Sequence, residues 1–301
     1  MSYVTVSEMA VETCGKLLGG LSAQIQATIR SCDADAVHDL RVAIRRSNQA
    51  LHSFDFCFDS RAVKKIRKRL KKTMRLAGCV RNMDIAMRFE DKWKLSNQHH
   101  LAKQREDLAQ ELTRYLERWV ERGWIADLTV QLKTQTPDPA LDSVQEHARR
   151  LLGPMSAEFI KRGNGAAAPH ATSSEMHGFR IAAKKFRYTM ELFSTNHGLA
   201  LKARIAQVRR LQTILGDVND CVTLKDILSG DEAASKLDKR QRQKTDQFRK
   251  QWAAKFADPP IAAQWVDDLS LLSPRKAPQR ERECRGAGES VRAFGQGRRR
   301  R

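Results

Sequence analysis

The amino-acid sequence predicts an all-α protein. Apolar residues recur at three- and four-residue spacing along most of the 301 residues, as they do on the buried face of an amphipathic helix. Runs of alternating β-branched residues joined by Asn-Gly or Asp-Gly turns, which would indicate β-hairpins, are missing from the sequence. A pattern of basic residues also occurs twice, so the sequence predicts two helical bundles related by an internal pseudo-twofold duplication.

Changes in this periodicity, together with residues that start or stop helices, define the individual elements. The predicted helices cover residues 3–31, 34–58, 61–77, 82–95, 98–121, 141–162, 174–195, 199–216, 219–229 and 232–257. The residues expected to cap helix N-termini are Asp33, Ser60 and Ser174. The glycines expected to end helices are Gly123, Gly163, Gly198 and Gly230.

The helical pattern is interrupted twice in the middle of the chain. Residues 135–139 contain two prolines and break the periodicity, and residues 163–169 have the composition of a loop. The sequence therefore predicts an N-terminal helical bundle over residues 1–135 and a C-terminal helical bundle over residues 140–272. Residues 273–301 contain ten basic and three acidic residues with little apolar surface, which predicts a disordered basic tail.

The net charge of +20 predicts a partner of opposite charge, such as nucleic acid, an anionic membrane surface or a phosphate polymer. The six cysteines show no C-x-x-C pair, so they indicate neither a zinc site nor a disulfide framework and suit a reducing cytosol. No run of about 18 apolar residues and no signal peptide pattern occurs. We therefore expect a cytoplasmic protein that does not insert into membranes.

The repeated pattern consists of one histidine followed by basic residues three, seven and eight positions later. At about 100° per residue, these side chains share one side of a helix, opposite the apolar residues that a bundle would bury. A following basic helix also matches, at a shift of 138 residues, from Lys64 to Gly78 and from Lys202 to Gly216. Because packing does not require a shared polar pattern over two consecutive helices, the sequence indicates a duplicated helical unit.

Three motifs resemble those of the CHAD family, the conserved-histidine α-helical domain: H-D-L-R-V-A-I-R-R at 38–46, M-H-G-F-R-I-A-A-K-K-F-R-Y at 176–188, and L-Q-T-I-L-G-D-V-N-D at 211–220. The resemblance covers about residues 7–270. It implies two bundles related by a pseudo-twofold, a basic central surface, and binding of inorganic polyphosphate there. No E-x-E-x-K signature of a triphosphate tunnel domain occurs, so the chain is similar to stand-alone members.

The repeat and the resemblance together define the candidate polyphosphate-binding residues. The first half supplies His38, Arg41, Arg45, Arg46, Lys64, Lys68, Lys71, Lys72 and Arg75. The second half supplies His177, Arg180, Lys184, Lys185, Arg187, Tyr188, Lys202, Arg209 and Arg210. Two departures from the family pattern, at residues 47–49 and at Asn82, predict weaker binding by the first half. We assign no catalytic residue, no metal site and no cofactor.

Structural explanations of these residues stay open at this point. A single basic stripe is more often a solvated helix face, and His38 and His177 could each satisfy a carboxylate or carbonyl between helices. In the segment 64–75, however, eight of twelve residues are basic and none is acidic, which causes self-repulsion unless an anion relieves it. Three acidic residues near helix ends are expected to act as caps or as partners of the repeated arginine stripes: Asp84, Asp217 and Asp220.

The function predicted from these observations is binding without catalysis. The sequence lacks a glycine-rich phosphate loop, an H-E-x-x-H motif and a nucleophile elbow. Two alternatives remain: nonspecific binding of nucleic acid such as RNA, to which the basic tail would contribute weakly, and a subunit of an enzyme that metabolises polyphosphate or phosphate esters. An aromatic content of 6% argues against base stacking. Association with polyphosphate or storage granules is a further expectation.

Overall fold

The computed structural model describes residues 5–95, 98–124, 126 and 143–270, without the side chains of residues 98–99 and 195–200. Within these residues the chain is helical and contains no β-strand, which confirms the predicted all-α class. The pseudo-twofold duplication stays a prediction. The helices are α1 (Val6–Arg30), α2 (Ala34–Ser53), α3 (Ser60–Trp93), α4 (Gln98–Glu121), α5 (Val144–Ala167), α6 (Ser173–Leu224), α7 (Asp231–Lys255) and α8 (Pro259–Ser270), and a 3-10 turn (Asp55–Cys57) links α2 to α3.

Side chains that accept hydrogen bonds from free backbone amides fix the helix starts. The Asp33 carboxylate accepts from the amides two and three residues later, so the prediction that it caps α2 is confirmed. The predicted cap Ser60 is wrong, because Asp59 caps α3 and Ser60 is its first helical residue. Ser174 is also wrong, since the Thr172 hydroxyl caps α6 in a reciprocal capping box.

Helix α3 passes through Gly78, where the sequence predicted a break between residues 77 and 82. A Cβ atom at this position would lie 2.9 Å from Nη1 of Arg41 on α2. Arg41 also donates a hydrogen bond to the carbonyl of Met74, one turn earlier on α3, at 3.4 Å. The glycine therefore does not end the helix. It allows a guanidinium to approach the helix backbone closely.

Helix α6 is assigned as helical over 52 residues, but its two halves run antiparallel. Nδ1 of His177 lies 2.8 Å from Oδ1 of Asn219, although a straight helix would separate residues 42 positions apart by about 63 Å. The contact between Arg209 and Glu191 places the reversal between these two residues. The predicted break at Gly198 falls within this interval. The end predicted at residue 216 is wrong, because α6 continues through it to Leu224, and the end predicted at residue 229 is wrong, because α6 ends five residues earlier.

Glycines at other predicted ends have two different roles. Gly123 and Gly230 adopt φ angles of +59° and +101°, which favour glycine. Gly123 follows the end of α4 as predicted, whereas Gly230 does not end a helix and instead stands at the N-cap of α7. The loop predicted from Gly163 is wrong, because α5 continues to Ala167. A Cβ atom at Gly163 would overlap the ring of Trp252 on α7, so this glycine allows two helices to pack closely.

The buried core joins both halves of the chain. Helix α1 packs on α2, α3 on α4, and α6 on both α5 and α7, while α2 and α3 each contact α6. In one cluster of the core, the ring of Phe159 on α5 contacts Phe179 of α6 and Trp252 of α7. Burying aromatic rings of this size dominates the stability of such a core. The domain boundary predicted near 133–140 lies outside the described residues.

Candidate functional site

Two hydrogen bonds fasten α2 to the first half of α6. Nε of Arg45 donates to the Tyr188 hydroxyl at 3.2 Å, and the Gln49 amide donates to the Thr189 hydroxyl at 2.9 Å in a buried position. Because both bonds lie on the side that carries the predicted basic residues, they bring the basic face of α2 against that of α6. The crossing of these helices is therefore the centre of the candidate site.

Five half-buried cationic side chains gather at this crossing. Each interacts electrostatically with at least one other member of the group, and Arg81 and Arg180 also interact with Asp220, so they lie close together. We call them, together with the carboxylate beside them, the central cluster: Arg41, Arg45, Arg81, Arg180, Lys184 and Asp220. Four of the six were predicted as site residues, while Arg81 was not and Asp220 was expected only as a cap or arginine partner.

The central cluster contains more positive charge than its carboxylate offsets. The pKa of Lys184 falls from 10.5 to about 6, first because the amine is buried and then because Arg180 and Arg45 lie beside it. Burial also lowers the pKa values of Arg41 and Arg180, although an arginine remains charged at neutral pH. Burial raises the pKa of Asp220 despite the neighbouring Arg180. An anion bound here would relieve this repulsion.

Donors of the central cluster are only partly used within the protein. Arg41 donates a hydrogen bond to the carbonyl of Met74, and its guanidinium lies in the space that the missing side chain of Gly78 leaves open. These contacts fix the guanidinium between α2 and α3. Nε of Arg180 is buried and has no hydrogen-bond partner among the described residues. Since a buried donor without a partner costs free energy, Arg180 is suited to donate to a ligand.

The two repeated histidines lie at the exposed edge of the crossing. Partial burial lowers the pKa of His38, and the charges of Arg81 and Arg45 lower it further. His177 is 2.8 Å from the side-chain oxygen of Asn219, so the structural explanation of a hydrogen bond within the protein applies to its Nδ1 atom. This hydrogen bond does not involve the Nε2 atom of His177.

On one side of the central cluster, a groove of about 980 Å³ runs between α2 and α3. Its basic residues include Arg45 and the predicted Lys64, Lys68 and Lys71. Arg67 also lines the groove and donates to the Asn48 side chain at 3.2 Å. Lys72 lies elsewhere, because its ammonium is 4.7 Å from the ring of Tyr115 on α4. Arg75 is exposed on α3.

On the other side, a cleft of about 800 Å³ separates α1 from α6. Arg46, Tyr188, Lys202 and Arg209 line it as predicted candidates, and Glu191 lies among them. The cleft adjoins the central cluster through Tyr188, which accepts the hydrogen bond from Arg45. Three further predicted candidates lie on α6 near this region: Arg187, which is half-buried, and Lys185 and Arg210, which are exposed.

The other two acidic residues named from the sequence, Asp84 and Asp217, pair with basic residues outside the central cluster. Asp84 accepts from Nε of Arg105 on α4 at 2.8 Å. Asp217 lies 3.3 Å from Arg240 and 2.9 Å from Lys244, both on α7. The prediction that these two carboxylates pair with the repeated basic stripes is wrong, because their partners belong to α4 and α7.

Two properties of the described residues bear on the kind of ligand. They contain no group of three or more histidine, cysteine, aspartate or glutamate side chains placed to hold a metal ion. Across the same parts of the chain, no helix combines the length and the apolar character that a membrane crossing needs.

The chain is therefore an all-α protein built around a long helical hairpin, α6. This hairpin packs against α2 and α3, with the half-buried central cluster between them. The CHAD domain family matches residues 13–229 of the sequence, which is most of the chain. The protein therefore belongs to the CHAD family, as the sequence motifs predicted. No curated protein matches the sequence.

Two solved structures share this fold. The crystal structure of the CHAD domain from the plant Ricinus communis is 20% identical, with a TM-score of 0.64, and the match covers 91% of this chain and 95% of that one. PptA from Streptomyces chartreusis is 16% identical, with a TM-score of 0.52, and the match covers 80% of this chain and 99% of that one. At these identities the similarity shows the fold.

Proposed function

We propose that the protein binds inorganic polyphosphate at the central cluster. The observation that carries this proposal is the half-buried group of Arg41, Arg45, Arg180 and Lys184, in which burial first, and then repulsion by Arg180 and Arg45, lower the pKa of the lysine to about 6. Phosphate oxygens would replace this repulsion by charge-assisted hydrogen bonds, which are among the strongest in proteins. Arginine adds a planar fork that matches phosphate geometry.

Basic residues on both sides of the central cluster favour a linear ligand over a single phosphate. Arg45 lines the groove between α2 and α3, and its partner Tyr188 lines the cleft between α1 and α6. The groove adds lysines at intervals of three and four residues along α3, which are one turn apart. A polymer with regularly spaced negative charges can contact the groove, the cluster and the cleft together.

A nucleic acid is the weaker candidate because the central cluster offers no surface for stacking bases. Tyr188, which adjoins the central cluster, is buried, and the guanidinium of Arg187 lies 4.3 Å from its ring centroid. Binding of single strands without sequence preference usually relies on accessible aromatic side chains. Residues 273–301 would still attract any polyanion through their arginines.

The test is a competition titration of the full chain with long-chain polyphosphate and with single-stranded RNA of equal total charge. We expect polyphosphate to displace RNA at a much lower concentration than RNA displaces polyphosphate. Equal displacement would favour nonspecific polyanion binding, and preferential retention of RNA would overturn the proposal.

We propose that binding occurs without turnover, and that it targets the protein to polyphosphate-containing granules in the cytoplasm. Incubation with long-chain polyphosphate, with and without Mg²⁺, should leave the chain-length distribution on a gel unchanged. Shortening of the polymer that depends on Lys184 or Asp220 would instead support the enzymatic alternative. Co-sedimentation with isolated granules, lost on treatment with a polyphosphatase, tests the targeting.

A further inference from the structure

Glu191 is a negative charge inside the basic surface. Its Oε1 atom lies 2.5 Å from Nη1 of Arg187 and 3.3 Å from Nη2 of Arg209, and its Oε2 atom lies 3.4 Å from Nε of Arg46. These arginines come from α2 and from both halves of α6. One carboxylate thus forms ion pairs with three arginines that the sequence predicts to bind polyphosphate.

The three pairs differ in exposure. The side chains of Arg187 and Glu191 are 12% and 19% exposed, and Arg187 is also fixed by a 2.6 Å hydrogen bond to Gln212. The side chains of Arg46 and Arg209 are 46% and 62% exposed. Ion pairs with such exposed partners are weak, so these two arginines can exchange Glu191 for another anion.

Glu191 also lies beyond the central cluster. It follows Lys184 by seven residues on α6, which corresponds to about 10 Å along the helix, and it lines the cleft with Lys202 and Arg209. We expect a short polyphosphate bound at the central cluster not to extend this far. A long chain that continues into the cleft would compete with the carboxylate for Arg46 and Arg209, and the carboxylate would also repel it.

We infer that Glu191 is an internal competitor of the polyanion, which limits the affinity that a polyphosphate gains by extending from the central cluster into the cleft. This inference rests on the proposed function and names the residue that determines its chain-length preference. If the only role of Glu191 were to fix Arg187, its ion pairs with Arg46 and Arg209 would not affect the binding of polyphosphate.

The test is the variant Glu191→Gln in the full chain, titrated with tripolyphosphate and with long-chain polyphosphate at low salt. Glutamine keeps the shape of the side chain and still accepts a hydrogen bond from Arg187. We expect the affinity for long chains to rise about threefold to tenfold, as release of two exposed ion pairs implies. The affinity for tripolyphosphate should stay within about twofold of the parent value.

The matched control is Glu12→Gln, which removes an equal charge from the lining of the same cleft. A purely general charge effect would raise the affinity equally in both variants or for both ligands, and this result would overturn the inference. An unchanged affinity of Glu191→Gln for long chains would overturn it as well. If the parent protein binds neither ligand, the proposed function itself fails, which the parent titration shows separately.

A second variant addresses a folding defect of Glu191→Gln, which circular dichroism would reveal. Arg46→Gln combined with Arg209→Gln changes only exposed side chains. This double variant should lose affinity for long chains and retain its affinity for tripolyphosphate. Equal affinities of the parent and the double variant for long chains would contradict the inference.

Discussion

The guanidinium of Arg41 occupies the space above Gly78, so that a Cβ atom at residue 78 would lie 2.9 Å from its Nη1 atom. This relationship between α2 and α3 positions one side of the central cluster. A methyl group at residue 78 should affect binding and stability differently. It would displace Arg41, but it would also favour the helix, because alanine in a helix interior is more stable than glycine by about 0.5–1 kcal/mol.

The variant Gly78→Ala should therefore bind polyphosphate more weakly without losing stability. The added methyl group displaces Arg41, and we expect an affinity loss equivalent to one charge-assisted contact, about 1.5–3 kcal/mol at low salt. Thermal melts should show an unchanged or slightly higher midpoint. The matched control is Gly216→Ala in α6, where a Cβ atom meets nothing within 4 Å. Equal binding by the two variants would show that the position of Arg41 is unimportant.

Substitutions within the central cluster should affect binding much more than folding. We expect Arg180→Ala with Lys184→Ala, and separately Arg41→Ala with Arg45→Ala, each to weaken polyphosphate binding by on the order of 1.5–3 kcal/mol per lost contact. Stability should stay the same or rise in the first variant, since like charges are removed. The second variant also loses the hydrogen bonds to Met74 and Tyr188, so its stability should fall by at most about 0.5–1.5 kcal/mol for each. The control removes two exposed cations of α7, Lys239 and Lys250. Calorimetric titration and circular dichroism melts measure both quantities, and unfolding of the cluster variants would indicate a structural role.

Local signals in the sequence predicted much of this architecture. The Asp33 cap and the apolar periodicity depend on residues close in sequence, and both were confirmed. Gly78 and Gly163 were misinterpreted as helix ends because their role is a close approach by Arg41 or Trp252 from another helix, which no local pattern reveals. Glycine ends a helix and also permits close packing, so composition does not distinguish the two roles.

The candidate site shows the same division between local and distant information. The repeat predicted that Arg41 and Arg180 belong to one surface, and the structure brings them together, while their role in binding stays a prediction. Asp220 was expected only as a cap or as a partner of the arginine stripes, and Glu191 was missed, because their contacts with α2 or with the opposite half of α6 depend on tertiary packing. The spacing of Glu191 four residues after Arg187 was the available signal for that pair.

The basic tail should contribute little to specific binding. A variant that ends at residue 272 retains the central cluster, the groove and the cleft, so we expect it to keep tight binding to polyphosphate and to lose mainly its weak binding to RNA. The logarithm of the affinity should fall linearly with the logarithm of the salt concentration, with a slope of about 0.7 per phosphate contact if single-strand behaviour applies. Loss of nearly all polyphosphate binding in this variant would make the tail the functional element.

Polyphosphate binding should take up a proton at Lys184. In the free protein the pKa of this amine is about 6, so it is mostly neutral at pH 7 to 8, and a bound polyanion would raise the pKa and charge it. Affinity should therefore increase as the pH falls from about 8 to 6.5, by at most about tenfold per pH unit for one proton. Below pH 6 the amine is charged in both states, and its contribution to the pH dependence ends.

The variant Lys184→Met separates this lysine from the other titratable groups around it. Burial and neighbouring arginines lower the pKa of His38, burial raises that of Asp220, and a bound polyanion would raise both, so these groups can also take up protons on binding. The variant should lose the part of the pH dependence that Lys184 contributes. It should also be more stable than the parent at pH 7, because the unfolded parent binds a proton that the folded parent does not. The stability difference should shrink as the pH rises from 6 towards 10.5, the ordinary pKa of lysine. Proton release or uptake measured by calorimetry in buffers of different ionisation enthalpy checks the coupling directly, and equal proton uptake by the parent and the variant would show that another group is responsible.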